Sequence, residues 1–471
     1  MNETAVLSRF AANLRYDDLP AATVRHAREA LLDWAGVAIA GADEPAARIL
    51  RETALAGAGG SACWVAGAGY ATDSAPLAAL ANGAASHALD FDDLHNPSVI
   101  HLGTVVIPAA VAAAQAVGAS GRDLITALVA GFEVGGRVGE SIIPESYYYW
   151  HTTGTAGVFG AAAAAGVIYG LDADRMCHCL GTAGTQAAGL WEFLTDGAMS
   201  KLVHAGKAAF EGVLSAALSA RGFSGATRII EGEKGFCRAL SPNPHEACLT
   251  RGLGKAPYAV DNNSYKPSPC CRHAHAAIAA ALALRDESRD IVAVTLHANS
   301  LTRTLIDNPA PRTAYGCKFN VRYCLACALH DGNVTLEHFT DTARNDAALR
   351  ALMEKIDVVP APDLDALRAA DNAKMPACLV IRYTDGTTAE TAVLYPPGDP
   401  AAPLTPAQRT DKYRRLAEPR IGPAAARSLH DCIRRTETYD DWPAAWRTLW
   451  SAPPHEPHTR NKKRSPEGLR F

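Results

Sequence analysis

From Val6 to about Gly222 the chain is a succession of alanine- and glycine-rich segments whose apolar residues recur at helical spacing. AATVRHAREALLDWAGVAIAG, APLAALANGAASHALD, VVIPAAVAAAQAVGASG, DLITALVAGFEVGGRVGESI and TAGVFGAAAAAGVIYGLD each repeat small apolar side chains on the period of one helix face. Gly41, Gly118 and Gly170 close such segments as helix C-caps do. Gly131, Gly135, Gly136 and Gly139 lie along one of them and permit close approach of a neighbouring helix. No strand alternates with these helices, so a doubly wound nucleotide-binding sheet is not expected. The pattern calls for a bundle of tightly packed, largely buried helices.

The character changes near Tyr258. HAHAAIAAALALRDES reads as one helix, and DIVAVTLHANS alternates as a strand. A helix follows around Cys324 to Leu329, then AALRALMEKIDVVPAP. Leu379 to Tyr383 and Thr388 to Leu394 flank Asp385-Gly386, a hairpin signal. Helical periodicity returns after Pro396. The expectation is a mainly α protein: a large all-helical domain built from residues 1–261 and 398–454, with a smaller α+β lid domain, 262–397, inserted into it. Residues 455–471 are polar and charged and read as a disordered tail.

Composition narrows the function. A net charge of −4 offers no basic field for nucleic acid. The richest apolar stretch, Val105 to Val117, is too short to span a membrane. The first residues lack the basic start and apolar middle of a signal peptide, so a cytoplasmic protein with reduced thiols is expected. Cys324 and Cys327 fall in an apolar helix turn without a second pair at zinc-ribbon spacing, and read as buried structure. His330-Asp331 and His430-Asp431 have the form of paired phosphohydrolase ligands but lack a matching upstream histidine. No metal is expected, although an Asp/His cluster described next is a candidate for one.

That cluster is HALDFDDLHNPSVIH, residues 87–101, which packs three histidines and Asp90, Asp92 and Asp93 into otherwise bland sequence. Burying an ion costs several kcal/mol unless it is paired, so such density is the material of a proton-transfer site. The alternative is a helix end capped by aspartates beside solvated histidines. His151 opens HTTGTAGVFGAAAAAG, where Gly154, Gly157 and Gly160 suit either an anion at a helix start or close helix packing. SKLVHAGKAAFEG aligns Lys201, His204 and Lys207 on one helix side, as a carboxylate clamp or a solvated basic face. YKPSPCCRHAH brings Lys266, Arg272, His273 and His275 to the domain junction, in a cleft or on an exposed helix start. Tyr323, in KFNVRYCLACAL, is either core or a phenol in need of a partner.

Together these five segments, in this order, resemble the MmgE/PrpD family over roughly residues 5 to 450. The resemblance implies a helical domain formed by both chain ends, an inserted α+β lid, and catalysis without metal or organic cofactor in the cleft between them. It places Asp90, His101, His151, Lys201, His275 and Tyr323 in catalytic positions, with His95, His204, Lys266 and Arg272 toward substrate. It implies a lyase that dehydrates or decarboxylates a small di- or tricarboxylic acid. An epimerase or isomerase using the same residues is the alternative, and an inactive helical binding protein a third reading. A homodimer is expected on the same ground.

Within that frame His101 is expected as the main acid/base, oriented by Asp90, while Asp92 and Asp93 cap and orient their neighbours. Two departures touch substrate recognition: Leu94 stands where relatives commonly carry threonine, and Leu102-Gly103 follows His101 where many have a proline.

Overall fold

A computed structural model describes residues 2–308, 310–371 and 374–450; the expected disordered tail, 455–471, lies outside them. The chain is mainly α, as its periodicity demands. Its N-terminal half is built on α1 (Ala21–Gly41), α2 (Ala75–His87), α3 (Gly103–Val117), α4 (Gly121–Glu140), α5 (Gly157–Ile168) and α6 (Lys201–Ala220). Local signals set their starts. The Ser74 hydroxyl accepts from the Leu77 amide at the head of α2, and Ser120 and Asp123 form a reciprocal capping box on α4. Nearly every residue of α3 and α5 is buried, so these two helices are apolar all round rather than on the one face that their spacing suggests.

Glycine decides how closely these helices cross. A Cβ on Gly131 of α4 would lie 2.8 Å from the Gly160 carbonyl of α5, and one on Gly160 2.7 Å from the Gly131 carbonyl. Gly83 and Gly206 do the same for α2 and α6, where a Cβ on Gly206 would meet the Leu80 carbonyl at 2.5 Å. The second crossing matters for function, because it draws the start of α6, with Lys201, toward the end of α2, with His87. Gly157 and Gly160 are likewise packing glycines, with Val105 and Gly131 in the space that side chains would need.

A second apolar core belongs to residues between Cys270 and Val393. Its sheet contains β1 (Ile291–Ala298), β2 (Ile356–Pro360), β3 (Ala377–Tyr383) and β4 (Thr388–Val393) in the order β2-β1-β3-β4. β1 and β2 run parallel, and the other neighbours are antiparallel. The Asp385-Gly386 hairpin joins β3 and β4, with Gly386 at φ +82°. α7 (His275–Leu284) packs on β3 and β4 and against α8 (Val321–Asp331). α9 (Pro406–Ile421) then returns to α1, and Leu404, Tyr413 and Trp446 join the first core.

Two details depart from an all-helical first half. Cys63–Val65 pairs antiparallel with Gly69–Thr72, and Leu94–His95 with Asn263–Ser264. The first pair forms because Gly67 and Gly69 turn the chain at φ +76° and +68°, while the Asp73 carboxylate accepts from the Ser61 and Ala62 amides. Short strands of this kind carry too little alternation to stand out among helices.

Candidate active site

The turn that follows α2 places two aspartates in opposite surroundings. His87, at the end of α2, puts its Nδ1 2.7 Å from Asp92 Oδ2, and His101, just before α3, puts its own Nδ1 2.9 Å from the same oxygen. Burial alone would raise the Asp92 carboxyl, but His101 and His87 beside it hold it well below the usual carboxylate range. Burial pushes the His87 imidazole down to about 4, against the pull of Asp92. The His87 side chain is 0% exposed and that of His101 12%, so His101 is the member of the trio with access to a ligand.

Asp90 faces ammonium groups instead. Lys201 Nζ donates to Asp90 Oδ1 at 2.6 Å; Lys266 Nζ lies 3.2 Å from Oδ2 and donates to the Asp90 carbonyl at 2.9 Å. Burial works against the Asp90 carboxylate, yet Lys201 and Lys266 keep it far below its ordinary value. Burial likewise opposes the Lys201 charge, but Asp90 and then Tyr315 drive its pKa upward. Lys201 sits 4.8 Å over the Phe319 ring. Burial pushes the Tyr315 phenol up to about 12 despite Lys201 beside it.

A neutral imidazole pair completes the group. His151 Nδ1 and His204 Nδ1 lie 3.0 Å apart, so one donates and the other accepts. Burial lowers both: His204, with Lys207 and Lys201 nearby, falls to about 4, and His151, with His87 and His204 beside it, is held well below its ordinary value. The His151 ring lies 6.4 Å from His101, 5.8 Å from His87 and 4.6 Å from Trp191. His101 acts electrostatically on Asp90, and Lys201 on both His87 and His151, so the lysine and histidine sides form one site.

The structure thus brings Asp90, His101, His151, Lys201, His204 and Lys266 together. Others stand apart. His275 Nε2 lies 3.2 Å from the Cys270 carbonyl, and Lys266 acts on its imidazole through its field. Arg272 is spent on the Pro397 carbonyl at 3.1 Å and Asp399 at 3.5 Å. His95 Nδ1 pairs with Ser98 Oγ at 2.8 Å beneath Gly136. Tyr323 is fully buried in the second core against Phe339, its hydroxyl donating to the His338 carbonyl. Tyr315 is the tyrosine beside Lys201, and nothing in TAYGCKFN marks it in advance.

Roles within the Asp motif also shift. Asp92, not Asp90, holds His101. Asp93 caps α3 as expected, accepting from the Gly103 amide at 2.9 and 3.1 Å and from Asn263 at 2.7 Å. A Cβ on Gly103 would stand 2.6 Å from the Asp93 carboxylate, which explains the glycine there. His87 belongs to the motif, yet its pairing five residues on with Asp92 crosses a turn that no helical spacing predicts.

His87, Asp92 and His101 are also a metal-like constellation, with ligand atoms within 4.8 Å of one another. Their 2.7 and 2.9 Å contacts to one oxygen are hydrogen-bond distances, shorter than the about 3.3 Å between ligand atoms around a tetrahedral zinc with bonds near 2.0 Å.

Residues 5–248 match the MmgE/PrpD N-terminal domain and residues 268–438 the MmgE/PrpD C-terminal domain. A cis-aconitate decarboxylase-like protein of Aspergillus oryzae is 29% identical, with 93% of this chain and 95% of that protein covered. A cis-aconitate decarboxylase of Aspergillus terreus is 26% identical over 91% and 92%, and the human cis-aconitate decarboxylase 26% over 61% and 62%. With both domains matched in order across most of its length, this chain belongs to the MmgE/PrpD family.

Proposed function

We propose that this chain is a lyase that decarboxylates a small unsaturated di- or tricarboxylic acid, with side chains as its only chemical equipment. The observation that carries the reading is the adjacency of two charge systems, Lys201–Asp90–Lys266 and His101–Asp92. Ammonium groups bind substrate carboxylates, and an imidazole backed by a carboxylate carries a proton near neutral pH. The names of the relatives point to the same substrate class.

In this reading the bond between carbon and one carboxylate breaks and carbon dioxide departs. The electron pair left behind spreads into the remaining conjugated carboxylate, where Lys201 and Lys266 offset its charge. His101, as imidazolium, gives its proton to carbon and regains one from water, while Asp92 stabilises the charged ring. The neutral His151–His204 pair supplies a hydrogen bond without a competing charge. Residues 262–397 act as a lid, since Lys266 and Tyr315 come from that part of the chain; closure completes the site and excludes water. Tyr148, Tyr149, Leu190 and Met199, all more than half exposed, give an apolar surface near the site suited to a homodimer.

Dehydration uses the same groups, so the test must separate outcomes. Wild-type protein with cis-aconitate and a panel of small polycarboxylates in deuterated water, followed by proton NMR, reads loss of carbon dioxide, loss of water and bare exchange in one assay. The expected result is carbon dioxide release with one deuterium on the product carbon. Exchange of a carbon-bound proton for deuterium without loss of carbon dioxide or water would favour the epimerase reading instead, and no reaction across the panel would defeat the enzymatic one. Activity should also survive prolonged chelation; loss restored by a divalent ion would overturn the metal-free mechanism.

A further inference from the structure

Three lysines from three distant parts of the chain converge on one turn of backbone. Lys318 donates to the Leu89 carbonyl at 2.5 Å, Lys266 to the Asp90 carbonyl at 2.9 Å and Lys412 to the Phe91 carbonyl at 2.8 Å. Three consecutive carbonyls each hold an ammonium group, and the lysines are buried, 1–7% exposed. The middle residue, Asp90, sits at φ +53°, a left-handed conformation that residues with a Cβ rarely adopt. A hydrogen bond from a charged donor is stronger than one from a neutral donor, so each ammonium group grips its carbonyl firmly.

Lys266 has a second task, since it also faces the Asp90 carboxylate. Lys318 and Lys412 do not. Lys318 stands 5.2 Å over the Phe339 ring, with no carboxylate within ion-pair distance among the described residues. Lys412, on α9, pairs with Asp33 at 2.6 Å and stands 4.3 Å over the Phe91 ring. Burying a cation carries a large desolvation penalty, and an apolar side chain would fill either place more cheaply. What both ammonium groups share is the backbone on either side of Asp90.

We propose that Lys318 and Lys412 are positioning residues that hold the Asp90 turn in its left-handed form, so that the carboxylate meets Lys201 and Lys266 while Asp92, two residues on, meets His101. Lys412 grips the turn from the returning C-terminal helix and Lys318 from the segment that leads into α8. The kinetic consequence rests on the function proposed above; the structural one does not.

Two variants test this in the full-length protein. Lys318→Met keeps the apolar stem and removes the donor. Lys412→Met is combined with Asp33→Asn so that no buried carboxylate is orphaned, with Asp33→Asn alone as control. Hydrogen–deuterium exchange read by mass spectrometry should quicken at least about tenfold in peptides spanning residues 88–94 for both lysine variants, with α4 and α5 unchanged. Asp33→Asn alone should leave these peptides as in wild type. With cis-aconitate as substrate, kcat should fall at least about tenfold with KM within about threefold, and Lys318→Arg should restore part of the loss. Unchanged exchange in 88–94 for both variants overturns the proposal whatever the substrate proves to be. Faster exchange with an unaltered kcat overturns the claim that the turn positions the chemistry. If wild type turns over no polycarboxylate, the proposed function fails and the exchange arm alone decides whether the lysines hold the turn.

Discussion

Asp90 and Asp92 stand two residues apart on one turn, and both are almost fully buried, yet their neighbours give them different work. Asp90 faces the ammonium groups of Lys201 and Lys266; burial opposes the Lys201 charge, but Asp90 drives its pKa upward. Asp92 faces imidazoles instead, with His87 and His101 at 2.7 and 2.9 Å from one of its oxygens. Residue type therefore says little about role here; the partner decides. In the proposed function the lysine side holds an anion and the histidine side moves a proton.

The harshest way to break this contrast is on the lysine side. Asp90→Ala leaves Lys201 and Lys266 buried without a counter-charge, and uncompensated burial of this kind costs about 3–5 kcal/mol. A marked fall in melting temperature together with loss of turnover is the expected result. Asp92→Asn keeps the volume and leaves two histidines that can remain neutral, so its stability cost should be clearly smaller while turnover drops. Equal melting temperatures for the two variants would erase the distinction.

Kinetics sharpen it further. His101→Ala and Lys201→Ala should each reduce turnover at least about a hundredfold, or about 2.7 kcal/mol of transition-state stabilisation. His87→Ala, which removes the sealed member of the trio, should cost less, because its ring meets no substrate. Steady-state rates on the substrate found in the deuterium experiment decide the order.

The two sides also predict different pH behaviour. His87 and His204 are depressed to about 4 in the fold, below the ordinary 6.5. Unfolding therefore takes up protons below about 6.5, and stability should decline as pH falls from there toward 4. The carboxyls of Asp90 and Asp92 are depressed as well, so their contribution is present above about 4 and is lost only in stronger acid. Asp93 has the opposite sign: burial, and then Asp92, raise it to about 7, so its contribution is full below about 4 and is lost as pH rises through 7. Thermal melts from pH 4 to 8 should show the histidine decline in wild type, reduced in His204→Gln.

Sequence alone reached much of this. Helical spacing located the large helices, although α3 and α5 are buried nearly all round rather than on one face. The motif from His87 to His101 was legible as a site because ionisable groups are costly inside alanine-rich sequence. The assignments inside it were not, since Asp90 and Asp92 differ only in what a left-handed turn, φ +53° at Asp90, aims them toward. Tyr323 illustrates the same limit: a tyrosine in a helix offers one phenol, and only packing says whether its partner is a ligand or, as here, the His338 carbonyl. Lys318 and Lys412 carry no motif at all, because their partners are backbone atoms.

The two tyrosines offer the mildest test, and the one most specific to this geometry. Tyr315→Phe removes a hydroxyl beside Lys201 on the lysine side and leaves the apolar ring in place. Turnover should fall about tenfold, close to 1.4 kcal/mol, with the melting temperature nearly unchanged. Tyr323→Phe leaves the half-buried His338 carbonyl without its donor, which costs about 0.5–1.5 kcal/mol in stability, while turnover at a temperature well below the melt should stay within about twofold. The reversed pattern, with Tyr323 governing rate and Tyr315 only stability, would move the reactive pocket away from Lys201 and into the second core, and with it the division of labour between Asp90 and Asp92.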